Sequence, residues 1–162
     1  MSDGETTNRP RTAIMGAGNV LMGDDGIGVR VIEVLRDKEG LPDGIEIIDA
    51  GTATLDALAL VENVDHLIIV DAVKGGQPPG TIYQFSPDDV SEPPSQKISL
   101  HQMSLLEALK VGRMLGAKTP RVSIIGVEPK TIAAGTSLSK EVGDQIPNII
   151  SAIMSLVADL HP

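Results

Sequence analysis

Two adjacent carboxylates, Asp24 and Asp25, stand where a glycine-rich loop runs into a helix, in Ile14-Met-Gly-Ala-Gly-Asn-Val-Leu-Met-Gly-Asp-Asp-Gly-Ile-Gly-Val-Arg30. A helix N-terminus carries partial positive charge and unsatisfied N–H groups, so it attracts anions. A phosphate-binding loop keeps acids away from that position; here fixed negative charge fills it. A nucleotide phosphate is repelled there and a metal cation is attracted. Asp49 and Asp71 close two apolar runs that read as strands, and Glu128 follows a third. In an open parallel sheet, ligands bind beyond the carboxyl ends of the strands. Asp25, Asp49 and Asp71 therefore converge on one rim, which Glu128 could join. Clustered carboxylates repel unless they share protons or hold a cation. His101, in Lys97-Ile-Ser-Leu-His-Gln102, is the natural fourth member. Two carboxylates and one imidazole, with no sulfur, suit Ni, Zn, Mn or Fe and leave positions open for an incoming ligand.

Each residue also has a plainer reading. Asp24 or Asp25 can serve simply as a helix cap, since Asp is favoured at that position. A lone Asp at a strand end often forms a turn. A lone His101 is more often a hydrogen-bonded structural histidine than a ligand, and His66 and His161 read as structural and tail residues. Asn19 can stabilise the glycine loop by bonding its own backbone. Rival motifs fail specific tests. Gly16-Ala-Gly18 lacks the glycine at position 21 that a dinucleotide fingerprint requires, because Leu21 is there. No Walker pattern and no G-x-S-x-G elbow is present.

Short β-branched runs alternate with helical patterns, as in an α/β domain. Strands are expected at 12–16, 45–49, 66–71 and 121–127, with a short edge strand at 81–86. The third run, His-Leu-Ile-Ile-Val-Asp, is apolar enough to be central. Helices are expected at 25–38, 55–62 and 103–115, and over 139–160 with a break near Pro147. Ser99 with Gln102, or Ser104 with Glu107, could form a capping box before the third helix. Loops are expected at 74–80 and 87–95. The fold class is therefore α/β: one three-layer domain over 12–162, with a twisted, mostly parallel five-stranded sheet, one antiparallel edge strand and helices on both faces. Residues 1–11 read as a disordered N-terminal tail.

Composition narrows the functions. The chain has 162 residues and a formal net charge of −9, which disfavours nucleic acid and anionic membrane surfaces. Aromatics are 1% of the chain, Tyr83 and Phe85 alone, so stacking on bases or sugars is nearly excluded. The absence of cysteine rules out a disulfide framework and a thiolate nucleophile. The polar, acidic start does not read as a signal peptide, and no apolar run suits a membrane span. A cytoplasmic location is expected.

From about Thr12 to the C-terminal helix, the chain resembles the hydrogenase maturation endopeptidases, the nickel-dependent proteases of [NiFe]-hydrogenase large subunits. The resemblance rests on Gly16-Ala-Gly-Asn-Val-Leu-Met-Gly-Asp-Asp-Gly-Ile-Gly-Val29, Ile48-Asp-Ala-Gly-Thr52, His66-Leu-Ile-Ile-Val-Asp-Ala72, Lys97-Ile-Ser-Leu-His-Gln102 and Ile125-Gly-Val-Glu-Pro129, in the family's order. It implies an aspartic-type endopeptidase that trims a C-terminal extension from the large-subunit precursor after nickel insertion. The family's metal ligands fall on Asp25, Asp71 and His101, with Asp25 and Asp71 also catalytic. Nickel would arrive on the precursor, and zinc or cadmium could occupy the site in vitro. Water would be activated by a metal or by a spare carboxylate, with Asp49 the first candidate. One departure is Ala50, where the family commonly has glycine. The alternatives are a non-catalytic metal-binding maturation chaperone and another metal-dependent hydrolase on the same scaffold. The implied partner is the precursor, with no nucleic acid or membrane.

Overall fold

The computed structural model describes residues 9–87 and 100–161, with backbone alone for 100–104. Residues 1–8 of the expected tail, and most of the 87–95 loop, lie outside the described residues. Arg11, assigned to that tail, is tied down. Its N–H donates to Asp65 Oδ2 at 2.9 Å and its guanidinium meets Glu46 at 2.6 Å.

The chain runs β1 (Thr12–Ala17), α1 (Ile27–Arg36), β2 (Ile45–Gly51), β3 (His66–Ala72), β4 (Ile82–Phe85), α2 (Leu100–Met114), β5 (Arg121–Val127), α3 (Lys140–Gly143) and α4 (Ile146–Leu160). The five strands form one sheet in the order β2-β1-β3-β5-β4, parallel except for the β4–β5 pair. This is the expected fold. β3 is central, and all seven of its residues are buried. Strand alternation divides its side chains between two cores. Leu67 and Ile69 pack with Met15, Leu105 and Leu109 on the α2 face. Ile68 and Val70 pack with Ile14, Ile32, Ile149 and Ile153 on the face covered by α1 and α4.

One element differs in kind from expectation. The 55–62 segment is a 3₁₀ helix over Asp56–Val61 rather than an α-helix. 3₁₀ turns are frequent as short connectors between longer elements, as here between β2 and β3. The last helical stretch breaks between α3 and α4 and restarts near Pro147, as expected, with Pro147 in the first turn of α4. Proline is tolerated there because the first-turn N–H has no partner within the helix. Among the described residues, no helix is long and apolar enough to cross a membrane.

The sheet order creates a switch point. β1 leads into α1 on one face, whereas the chain leaving β3 returns through α2 on the other. The connections after β1 and β3 therefore part, leaving a crevice at their carboxyl ends.

Candidate functional site

The crevice is organised around Gly18. Its φ is +128°, a backbone geometry that glycine adopts at little cost. A methyl group there would lie 1.9 Å from the Asp25 carbonyl oxygen and 3.4 Å from Asp71 Oδ1. Gly18 also donates its N–H to Gly51 O at 2.9 Å, joining the end of β2 to the same loop. The absent side chain is what lets the Asp25 turn come down over the end of β3. Gly28 serves the layer beneath. A methyl on it would meet Val70 O at 2.1 Å and Ala17 O at 2.4 Å, so its absence lets α1 lie directly on the sheet.

Asp25 belongs to a 3₁₀ turn, Gly23–Gly26, that precedes α1. It is half-buried, and its Oδ2 accepts from Asn19 N at 3.0 Å. Asn19 Oδ1 in turn accepts from Leu21 N at 3.0 Å, the local bond expected of that residue. Asp71 is fully buried, and its Oδ1 accepts from Ala72 N at 2.8 Å. By alternation with Leu67 and Ile69, Asp71 falls on the α2 face. The backbone of His101 lies in the first turn of α2. This helix begins three residues before the expected position, and the side chain of His101 lies outside the described residues. So do Ser99 and the Gln102 and Ser104 side chains of the expected capping boxes. Among the described residues, no three acidic or imidazole side chains gather closely enough to hold an ion.

Asp49 shares the rim but not the face. It pairs in register with Gly16 and is exposed. Ile45 and Ile47, at alternate positions before it, pack toward α1. Alternation thus places Asp49 on the side of the sheet opposite Asp71.

Two acids do work that the sequence did not reveal. Asp24 does not cap α1, whose N-cap is Gly26 with no side-chain bond. It is fully buried and accepts four hydrogen bonds, from Lys130 N (2.9 Å), Thr131 N (3.0 Å), Ser139 N (2.7 Å) and Ser139 Oγ (2.8 Å). Burial alone would raise its pKa, but the bonds from Thr131, Ser139 and Lys130 together outweigh this and hold it below the usual carboxylate value. Glu128 does not join the rim as an open carboxylate. Its oxygens accept from Gly75 N at 2.7 Å and Gly76 N at 3.0 Å, and Tyr83 Oη donates to it at 3.3 Å. Burial pushes the Tyr83 phenol up, and the Glu128 charge adds to that. Glu128 thus anchors the 74–80 loop. Ser139, Tyr83 and the Gly75-Gly76 pair had not been singled out. Ser139 carried one signal, an N-cap residue before a short helical run, and it does cap α3.

The profile of the hydrogenase maturation protease family matches residues 29–156. The chain is 33% identical over 150 residues to the hydrogenase 2 maturation protease of Escherichia coli (strain K12), covering 92% of both proteins. The solved structure of the hydrogenase maturating endopeptidase HybD from E. coli superposes with a TM-score of 0.82 at 33% identity, over 92% of this chain and 93% of that one. The [NiFe] hydrogenase maturation protease HybD from Thermococcus kodakarensis gives 0.76 at 25% identity, over 91% and 99%. Together with the shared sheet architecture, these likenesses establish that the chain belongs to the hydrogenase maturation proteases.

Proposed function

We propose that this protease is an endopeptidase that removes the C-terminal extension of a [NiFe]-hydrogenase large-subunit precursor, and that it recognises nickel already inserted in that precursor. The observation that carries the reading is that the backbone of Asp25 and the carboxylate of Asp71 both border Gly18 at the sheet's switch point, in a chain of this family. The donor chemistry agrees with a nickel-bearing substrate. Carboxylate oxygens and the His101 imidazole suit a borderline divalent ion, and a chain without cysteine brings no thiolate to compete for it. Asp71 falls on the face that α2 covers, and the backbone of His101 is in that helix's first turn.

In this reading, Asp25, Asp71 and His101 are contacts to the substrate's nickel. They hold the precursor so that its scissile peptide lies beside the rim, removing the entropic cost of finding that geometry. Water adds to the scissile carbonyl, the C–N bond breaks, and the leaving amine takes up a proton. A spare carboxylate can accept the water's proton. Asp49 is exposed at the same rim and is the candidate for that step, although it stands on the opposite side of the sheet from Asp71. The reaction is assigned to the cytoplasm.

The test mixes the protein with precursor loaded or unloaded with nickel and follows mass loss. Cleavage of the loaded form alone is expected. Equal cleavage of both forms would overturn nickel recognition, and binding without cleavage of either would favour a chaperone instead.

A further inference from the structure

Asp24 and Asp25 are neighbours in sequence with different partners. Asp25 bonds within its own loop, to Asn19 N. Asp24 reaches more than a hundred residues along the chain and joins both ends of one segment, Lys130 and Thr131 at its start and Ser139 at its close. A carboxylate has acceptors only, and here it faces donors only. Backbone bonds extend the seam. Asp24 N donates to Thr131 O at 3.0 Å, Gly23 N to Gly135 O at 3.0 Å, and Gly135 N to Leu21 O at 2.9 Å. The Arg30 guanidinium adds a bond to Thr136 O at 2.9 Å.

We infer that Asp24 is a positioning residue for the processing reaction: it makes the 130–139 segment and the Gly23–Gly26 turn one rigid unit and thereby fixes Asp25 at the crevice. The peptide bond joining Asp24 to Asp25 transmits the constraint directly. With the Asp24 carboxylate held from one side, the turn cannot rotate without breaking several bonds at once. Asp25 is then presented to Asn19 N and to the end of β3 without being ordered when substrate arrives. The same seam carries exposed apolar side chains, Leu21 at 62% and Ile132 at 38% exposure, beside the turn. A polypeptide resting on them meets a surface whose geometry is already tied to Asp25.

The inference rests on Asp25 being a site residue, so Asp25→Ala is assayed beside the Asp24 variants. Asp24→Asn keeps the volume but turns an amide toward N–H donors. Ser139→Ala removes the hydroxyl donor to Asp24, and with it the α3 cap at Val142 N, and leaves the backbone bonds to Asp24. Precursor processing is measured per folded molecule, well below the unfolding temperature, with hydrogen exchange at Asn19 N–H as a second readout. Asp24→Asn is expected to lower kcat by about tenfold or more. Its KM should rise as well, because Asp25 is also one of the contacts that hold the precursor, and the shift should not exceed that of Asp25→Ala. Exchange at Asn19 N–H should accelerate. Ser139→Ala should show the same pattern at about two- to fivefold in kcat, and it decides the matter should Asp24→Asn fail to fold. Wild-type kcat per folded molecule in the deciding variant, with Asp25→Ala inactive, overturns the positioning role alone. Wild-type processing by Asp25→Ala overturns the site reading and this inference with it.

Discussion

The carboxylate of Asp71 and the missing side chain of Gly18 occupy adjoining space: a methyl on Gly18 would sit 3.4 Å from Asp71 Oδ1. The same methyl would lie 1.9 Å from the Asp25 carbonyl oxygen, closer than any real contact. Gly18→Ala must therefore move the backbone and also hold a Cβ at a φ of +128°. Strain of that kind and forced overpacking together should destabilise the fold by more than about 2 kcal/mol. Urea unfolding measures this. A loss within about 0.5 kcal/mol, the range of ordinary surface substitutions, would show that the loop yields freely.

Asp71→Asn separates the charge of Asp71 from its packing. The amide has nearly the same volume and its oxygen can still accept from Ala72 N, the bond the carboxylate makes at 2.8 Å. The fold should persist, because a buried polar group keeps its hydrogen bond. Precursor processing should fall by on the order of 10²-fold or more, the scale expected for losing one essential catalytic or orienting group. Near-wild-type processing by a well-folded Asp71→Asn would remove the Asp71 charge from the mechanism.

Ala50 answers the one sequence departure from the family pattern. Its methyl is buried in the core on the α2 face, with Met15 and Ile48, at the end of β2 where the register with β1 shifts. A Cβ is therefore packed at this position and does not obstruct the rim. Ala50→Gly should cost about 0.5–1 kcal/mol through backbone entropy, with some lost burial besides. Processing per folded molecule should not change. Thermal unfolding and the processing assay read the two effects separately, and a faster Ala50→Gly enzyme would show that the methyl does hinder substrate approach.

How far the sequence could be read follows from where each signal resides. The alternation of apolar residues is local, so it identified β1, β3 and the helix after β1 without tertiary information. The rim acids were legible because a parallel sheet puts the ends of successive strands on one side. Asp24 and Asp25 were not separable on that basis, since adjacent identical residues carry the same local preference for a helix start. Their difference comes from Lys130, Thr131 and Ser139, whose N–H groups reach Asp24 only once the 130–139 segment has docked. Glu128 was misread for the same reason. Its partners Gly75 and Gly76 belong to a loop with no periodic pattern to mark it. Alternation could also have separated Asp49 from Asp71, but which face each strand parity meets depends on helices elsewhere in the chain.

His66 gives a pH dependence remote from the rim. It begins β3, is 8% exposed, and its Nε2 bonds Ser123 Oγ at 2.9 Å. Burial first, and the Arg121 charge second, hold its pKa below the ordinary value of 6.5. Above that value the imidazole is neutral in both folded and unfolded chains and has no effect on stability. As pH falls below about 6.5, the unfolded chain takes up the proton first, so stability declines until the folded-state pKa is reached. His66→Gln keeps a hydrogen-bonding side chain toward Ser123 and removes the titration. Urea midpoints measured across about pH 5 to 8 should therefore fall more steeply with acid in the wild type than in His66→Gln. The two curves should run parallel above about pH 7. Parallel curves across the whole range would mean that His66 is protonated as readily in the folded protein as in the unfolded chain, and that burial beside Arg121 imposes no penalty on its charge.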